Sequence, residues 1–220
     1  MSYDLSNPAD RERAYKDLMW KDHGILRKRF HNMHEVGGGM WRSNQPSPER
    51  LEELADQGFK TILNVRGTQP HACYYALERD ACDRLGLEMH DLPFGSREAP
   101  YVDRIERAVE IFHSIQYPAL IHCKSGADRA GIISVLYLLT KENKPFEDAI
   151  RHLSLKYLHV KAGKTGMLDY FFETYRQFNA HTPMDFMTWV RTEYDRMAVH
   201  NGFMASWWGS ILTEGILRRE

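Results

Sequence analysis

Apolar positions along the chain fall into two alternating periods, and the alternation predicts a layered α/β domain. Short apolar runs recur at Lys60-Thr61-Ile62-Leu63-Asn64-Val65-Arg66, at Leu87-Glu88-Met89-His90-Asp91-Leu92-Pro93 and at Pro118-Ala119-Leu120-Ile121. Each is the length of a buried strand and is closed by polar or glycine positions. Met40-Trp41-Arg42-Ser43, after the Gly37-Gly38-Gly39 turn, begins the first strand. Helical spacing fills the gaps. Ser47 caps a helix with Pro48 at its first position and Leu51 and Leu54 facing inward. Residues 71–85 form a second helix, with Cys73 and Cys82 as ordinary half-buried positions. Tyr101 to Ile115 forms a third, with Ile105, Val109 and Phe112 on one face. Ile132 to Leu139 is apolar on every side and reads as a buried helix.

The resulting fold class is α/β, a central and largely parallel sheet flanked by helices, with extra C-terminal helices. Residues 1–35 read as an N-terminal extension, 36–180 as the main domain, and 181–220 as a helical extension packing on it. The extension carries Arg27-Lys28-Arg29 beside Trp20, Ile25, Leu26 and Phe30, which suits a short docked helix or a patch for a membrane surface or an acidic partner. Near the C-terminus, Phe203, Trp207, Ile211 and Gly215 make a stripe broadened by Met204, Trp208, Leu212 and Ile216. That stripe suits a helix docked on the core or on a second subunit, or a peripheral membrane contact through 203–217 with Arg218-Arg219 behind it.

Composition narrows the picture in three ways. With a formal net charge of −1 over 220 residues, the chain has no basic field for nucleic acid. Three cysteines without metal spacing predict a reducing compartment and no disulfide framework. No signal-peptide core or spanning apolar run is present, so the expected location is cytoplasmic, with peripheral membrane contact as an option.

The chemistry concentrates in His122-Cys123-Lys124-Ser125-Gly126-Ala127-Asp128-Arg129-Ala130-Gly131, between the 118–121 strand and the 132–139 helix. A tight loop entering a helix N-terminus presents backbone N–H groups without intrahelical partners, and such a loop holds an anion. Lys124, Ser125, Gly126, Ala127, Asp128 and Arg129 are the expected phosphate-binding residues. Cys123 lies within the ring of N–H dipoles, where a thiolate is favoured. The planar fork of Arg129 can grip two oxygens of one tetrahedral anion. In a parallel sheet, ligands sit at the carboxyl ends of the strands, which adds Asn64, Arg66 and Asp91 to the neighbourhood.

A cysteine and an arginine separated by five residues resemble the Cys-x5-Arg loop of the protein tyrosine phosphatase superfamily. The order Trp-Arg-Ser-x-Gln-Pro, Asn-Val-Arg, Phe-Gly before Pro-Tyr, then Leu-Ile-His-Cys-Lys is similar to the plant and fungal atypical dual-specificity phosphatases and their bacterial relatives, across about residues 36–140. The resemblance implies hydrolysis of phosphomonoesters through a phosphocysteine on Cys123, with no cofactor and no metal. It also implies a general acid. The superfamily usually carries an aspartate about thirty residues before the cysteine, which ranks Asp91 first. Asp128 ranks second, because lipid-directed bacterial phosphatases carry a similar Asp-Arg pair, and Glu98 ranks third.

One position departs from the family: Ala130 stands where a serine or threonine usually assists release of the thiolate. A slow second step, or a phosphate-binding module without turnover, follows as an alternative. No segment resembles a tyrosine-recognition loop, so the expected partner is a phosphorylated protein or a small phosphorylated lipid or inositol. Protein phosphate stands slightly ahead. Lys161 and Lys164, in a basic glycine turn before the 167–178 helix, join Asn64, Arg66 and Glu98 as candidates for the substrate mouth.

Overall fold

The computed structural model describes the backbone of residues 3–217 and the side chains of residues 3–207. Five strands form one sheet in the order β1-β2-β5-β3-β4: β1 (His34–Gly37), β2 (Met40–Asn44), β3 (Thr61–Asn64), β4 (Glu88–Asp91) and β5 (Ala119–Cys123). All pairings are parallel except β1 with β2, a hairpin turned at Gly37 to Gly39. The edge strand β1 begins inside the segment read as an extension.

Side-chain alternation on the central strands explains the two layers. Leu63 and Ile121 point to one face, and Ile62 and Leu120 to the other, as the period of two requires. The second face is covered by α3 (Pro48–Asp56) and α4 (Cys73–Leu85), through Leu51, Leu54, Ala81 and Cys82. The first face carries the larger core. Here α6 (Asp128–Thr140) lies against the sheet beside α5 (Val102–Ser114), and nine of its thirteen residues are buried, as an all-round apolar helix demands.

Outside α6 lie α7 (Phe146–Ala149), α8 (Met167–His181), α9 (Phe186–Thr192) and α10 (Arg196–Leu217). Phe171, Phe186, Trp189 and Tyr194 meet edge to face or tilted in one aromatic cluster. Of the C-terminal stripe, Phe203 is buried against Tyr170, and Met204 and Trp207 pack on the same core. Here the stripe is a docking face for the domain. The side chains of Trp208, Ile211, Leu212 and Ile216, and all of Arg218 and Arg219, lie outside the described residues.

At the other end, α1 (Pro8–Trp20) runs across α4, burying Ala14, Leu18 and Met19 against Cys73 and Leu77. Arg11 fixes the crossing with a two-pronged bond to Asp80, both arms at 2.9 Å. The short α2 (Gly24–Arg27) follows, and the chain then passes over the carboxyl end of the sheet before entering β1. Cys73 and Cys82 are free and buried, and burial pushes both thiols up.

Candidate active site

β5 is buried at all five positions and ends at Cys123, whose side chain is 2% exposed. From there residues 124–127 turn into α6. The turn needs a glycine at Gly126, which sits at φ +74° with its Cα close against the backbone of Ser43 and Asn44. A Cβ there would meet backbone atoms at 2.7–2.8 Å.

The loop is held from behind. The Lys124 carbonyl accepts from the Gln45 N–H at 3.4 Å, and the Ser125 carbonyl from Asn32 Nδ2 at 3.0 Å. The carbonyls of Gly126 and Ala127 both accept from Arg42 Nη2, at 2.7 and 2.8 Å. With four successive carbonyls drawn outward, the N–H groups of Ser125, Gly126 and Asp128 take no acceptor among the described residues. This is an anion-binding nest at the start of a thirteen-residue helix. Arg129 is half-buried, and its guanidinium makes no hydrogen bond or ion pair among the described residues, so both arms of the fork are unengaged.

Arg42 was read from the sequence only as a strand residue, yet it is the largest polar group in the scaffold of this loop. It is fully buried, lies over the Tyr157 ring at 4.3 Å, and donates Nη1 to the His152 carbonyl at 2.8 Å. Burial depresses the guanidinium to about 10, still charged at neutral pH, and it interacts electrostatically with Cys123. The same burial, with Arg42 beside it, pushes the neighbouring His152 down to about 4. Beneath the cysteine, His122 Nε2 lies 2.6 Å from Glu78 Oε1 in a fully buried pair, and Glu78 Oε2 accepts from Gln45 Nε2 at 2.9 Å.

The three candidate acids occupy different surroundings. Asp91 pairs in register with Asn64 at the strand ends, and Oδ1 accepts from Asn64 Nδ2 at 2.7 Å. Its Oδ2 accepts from Tyr75 Oη at 2.6 Å and Thr68 Oγ1 at 2.8 Å, with Arg79 3.6 Å away. Both oxygens are thus committed to the scaffold. Glu98 lies between Arg104 and Arg196, at 3.4 and 3.3 Å. Asp128 lies at the first turn of α6 beside Arg129, a quarter exposed, with Oδ1 2.7 Å from His159 Nδ1. The other imidazole nitrogen is 2.6 Å from Asp169, which Lys161 also reaches at 3.2 Å. Desolvation alone would lower His159, but the two carboxylates overcome it and raise it to about 9, so the ring is an imidazolium clamped at both ends.

The remaining mouth candidates separate. Arg66 bonds Asp22 through both arms at 3.0 Å, donates to Gln45 and stacks on Tyr74 at 3.2 Å. Lys124 reaches the same Asp22 at 3.3 Å, and Arg27 reaches it at 2.6 Å. Burial would raise the Asp22 carboxyl, but the three cations prevail and hold it below the usual range. Asn64 is fully buried, and Lys164 sits over Trp207 at 5.3 Å on the α8–α10 side. Asp22, Asn32, Arg42, Glu78 and His159 therefore belong to the site although their spacing announced none of them.

The geometry agrees with the comparisons to known proteins. Residues 28–165 match the family described as DSP-PTPase phosphatase fused to NAD+ kinase. The chain is 32% identical over 97 residues to the probable chloroplastic NAD kinase 2 of Oryza sativa subsp. japonica, covering 43% of this chain and 10% of that protein. It is 31% identical over 91 residues to the chloroplastic NAD kinase 2 of Arabidopsis thaliana, covering 40% and 9%. The chain thus spans about a tenth of the length of these relatives. In fold it is similar to TpbA of P. aeruginosa, with a TM-score of 0.51 and 12% identity over 78% of this chain and 90% of that one. It is equally similar to Tk-PTP in its active form, at 0.51 and 20% identity over 66% and 98%. The strand–loop–helix site and the match over more than half its length show that the chain belongs to the DSP-PTPase family of phosphatase domains related to those fused to NAD+ kinase.

Proposed function

We propose that this chain hydrolyses phosphomonoesters through a phosphocysteine at Cys123. The observation that carries the reading is the loop itself, with carbonyls pulled outward, N–H groups left inward, and Cys123 and the unengaged Arg129 at its two ends. The N–H groups and Arg129 neutralise the phosphoryl oxygens, and Arg129 gains most as equatorial charge builds in the transition state. Cys123 Sγ forms the bond to phosphorus as the bond to the ester oxygen breaks. The leaving oxygen takes a proton from the acid. Water then attacks phosphorus, gives its proton to the same carboxylate, and releases the thiolate and inorganic phosphate.

The surroundings of the carboxylates support Asp128 over Asp91 for the proton transfer, a change from the order that spacing favours. Asp91 has both oxygens engaged by Asn64, Tyr75 and Thr68, whereas Asp128 adjoins Arg129 and keeps one oxygen free of His159. Ala130 offers no hydroxyl to the departing thiolate, so breakdown of phosphocysteine is the slow step. On this reading the substrates are phosphoproteins of the tyrosine or dual-specificity type, or phosphate esters borne by lipids.

Cys123→Ser abolishes release of p-nitrophenol from its phosphate ester while phosphate binding survives. The wild-type chain gives a burst of leaving group equal to the enzyme concentration, followed by a slower steady rate. Ala130→Ser raises the steady rate and leaves the burst unchanged. Absence of burst and turnover on any phosphoester would assign the loop to a non-catalytic phosphate-binding module.

A further inference from the structure

Among the described residues nine large apolar side chains are exposed, and seven of them lie in two short segments. Trp20, Ile25, Leu26 and Phe30 belong to the stretch after α1. Leu155, Leu158 and Val160 belong to the turn before α8. Each is between 45% and 74% exposed. Scattered apolar residues on a surface need no explanation, but this concentration does.

Both segments are fastened to the catalytic loop. Asp22 reaches Lys124 at 3.3 Å, and Asn32 donates to the Ser125 carbonyl at 3.0 Å and the Tyr157 carbonyl at 3.3 Å, tying the two segments together across the loop. His159, between Leu158 and Val160, holds Asp128 at 2.7 Å. The two segments that carry the exposed apolar side chains therefore both adjoin the loop and form a broken ring beside it. The charge of the ring is one-sided. Of the seven lysines and arginines in residues 20–31 and 155–164, Lys21, Arg27 and Lys161 are paired with Asp17, Asp22 and Asp169, and Lys28, Arg29, Lys156 and Lys164 make no ion pair among the described residues.

We infer that this ring is a docking surface for an anionic lipid bilayer, which presses the phosphate loop against the headgroup plane. The inference rests on the phosphatase reading for its consequence, a substrate phosphate carried at a membrane, though not for the docking itself. Tryptophan, phenylalanine and leucine interleaved with lysine and arginine form the composition that enters the headgroup–acyl boundary. The basic side chains add attraction to anionic lipid that falls off within a Debye length. A protein interface of similar extent would be depleted in lysine at its centre, which this ring is not. No helix among the described residues is long and apolar enough to cross a membrane, so the contact is peripheral.

The test is co-sedimentation of the full chain with vesicles of phosphatidylcholine alone or of phosphatidylcholine mixed with phosphatidylserine. Wild type and Cys123→Ser both sediment with the mixed vesicles and not with the neutral ones, and added salt releases them. The pair Leu26→Ser and Leu155→Ser weakens binding by about tenfold or more, while hydrolysis of soluble p-nitrophenyl phosphate and the thermal midpoint stay at wild-type values. Failure to sediment, equal binding to neutral vesicles, or unchanged binding by the double variant overturns the inference. So does a concentration-dependent dimer in lipid-free solution that the double variant dissolves, since that gives the ring to a second copy. Because Cys123→Ser reports binding without chemistry, docking that persists in an inactive wild-type chain would sink the catalytic reading and leave the surface standing.

Discussion

The loop between β5 and α6 is held differently on its two sides, and the contrast separates what the fold fixes from what charge can tune. Its back rests on Arg42, a fully buried cation whose two Nη groups donate to backbone carbonyls of the loop and of His152, while its Nε–H has no partner among the described residues. Among the described residues no carboxylate pairs with it, and its charge is offset by the face of Tyr157 and by electrostatic interaction with Cys123 and Asp128. Its rim is held by closed ion pairs, Lys124 with Asp22 and Asp128 with His159, in each of which solvent partly reaches one partner, Lys124 or Asp128. A buried cation bonded to carbonyls has one arrangement and is costly to disturb. An ion pair at a rim responds to pH, salt and a competing anion.

The largest effect is expected from breaking the back. Arg42→Met leaves the carbonyls of Gly126 and His152 buried without this donor, each worth about 1–3 kcal/mol, while the Ala127 carbonyl keeps the Gly131 N–H at 2.8 Å. Hydrolysis of an aryl phosphate should fall by about 10³-fold or more as the N–H groups lose their common aim. Arg42→Lys restores charge but not the fork, and should recover only part of the loss. If Arg42→Met retains wild-type kcat with only a lowered Tm, the carbonyl contacts stabilise the fold and do not aim the loop.

Next in size is the rim carboxylate. Asp128→Asn should slow esters with poor leaving groups by about 10²-fold or more and activated aryl esters less. Asp91→Asn should leave that leaving-group dependence intact and act mainly through stability, since it loosens the contacts to Tyr75 and Thr68. The reverse pattern would return the acid to Asp91.

These two predictions mark where sequence reading reaches and where it stops. The strands, the buried α6 and the loop are local patterns, because period and residue order determine them within about ten positions. Arg42 is different. Its role exists only because β2 lies beside β5 with Arg42 opposite Ile121, which places the guanidinium under residues more than eighty positions away. Asp91 has the spacing of an acid, but α4 delivers Tyr75 to it, and spacing carries no record of that. His159 sits in a basic glycine turn, where nothing local says that Asp128 and Asp169 converge on it. The polar α1 hides for a related reason: it buries only three side chains, against a helix rather than the sheet. β1 is short, half-exposed and at an edge, so it shows no apolar run.

A smaller effect concerns the pH response of the rim. His159 is raised in the fold to about 9 from an ordinary value of 6.5. The folded state therefore binds this proton more tightly than the unfolded chain does. The resulting stability is fully present below about pH 6.5 and is lost as pH rises through about 9. Its size is on the order of 3 kcal/mol, because the ring is fully buried between two carboxylates. Urea midpoints measured from pH 6 to 10 should fall for the wild type. The His159→Gln curve should lie lower at pH 6 and lack that slope, and an equal slope in both would place the titration elsewhere.

The smallest effect, and the one that most sharpens the contrast, is expected at Asp22. Its carboxylate lies within 3.3 Å of Lys124, Arg66 and Arg27 and so offsets positive charge beside the phosphate loop. Asp22→Asn keeps the shape and a hydrogen-bonding oxygen but removes that charge. Lys124, the most exposed of the three cations, is then free to meet a second phosphate group. Competitive inhibition by pyrophosphate should tighten by about 3–10-fold, the scale of one partly screened charge at short range, while inhibition by orthophosphate moves less. The gain should shrink as salt is raised, since the group that delivers it is open to solvent. If both inhibitors tighten equally, Asp22 sets the potential of the whole mouth. If neither changes, Lys124 points away from the bound anion and the Asp22 cluster serves only to fasten the chain before β1 to the sheet.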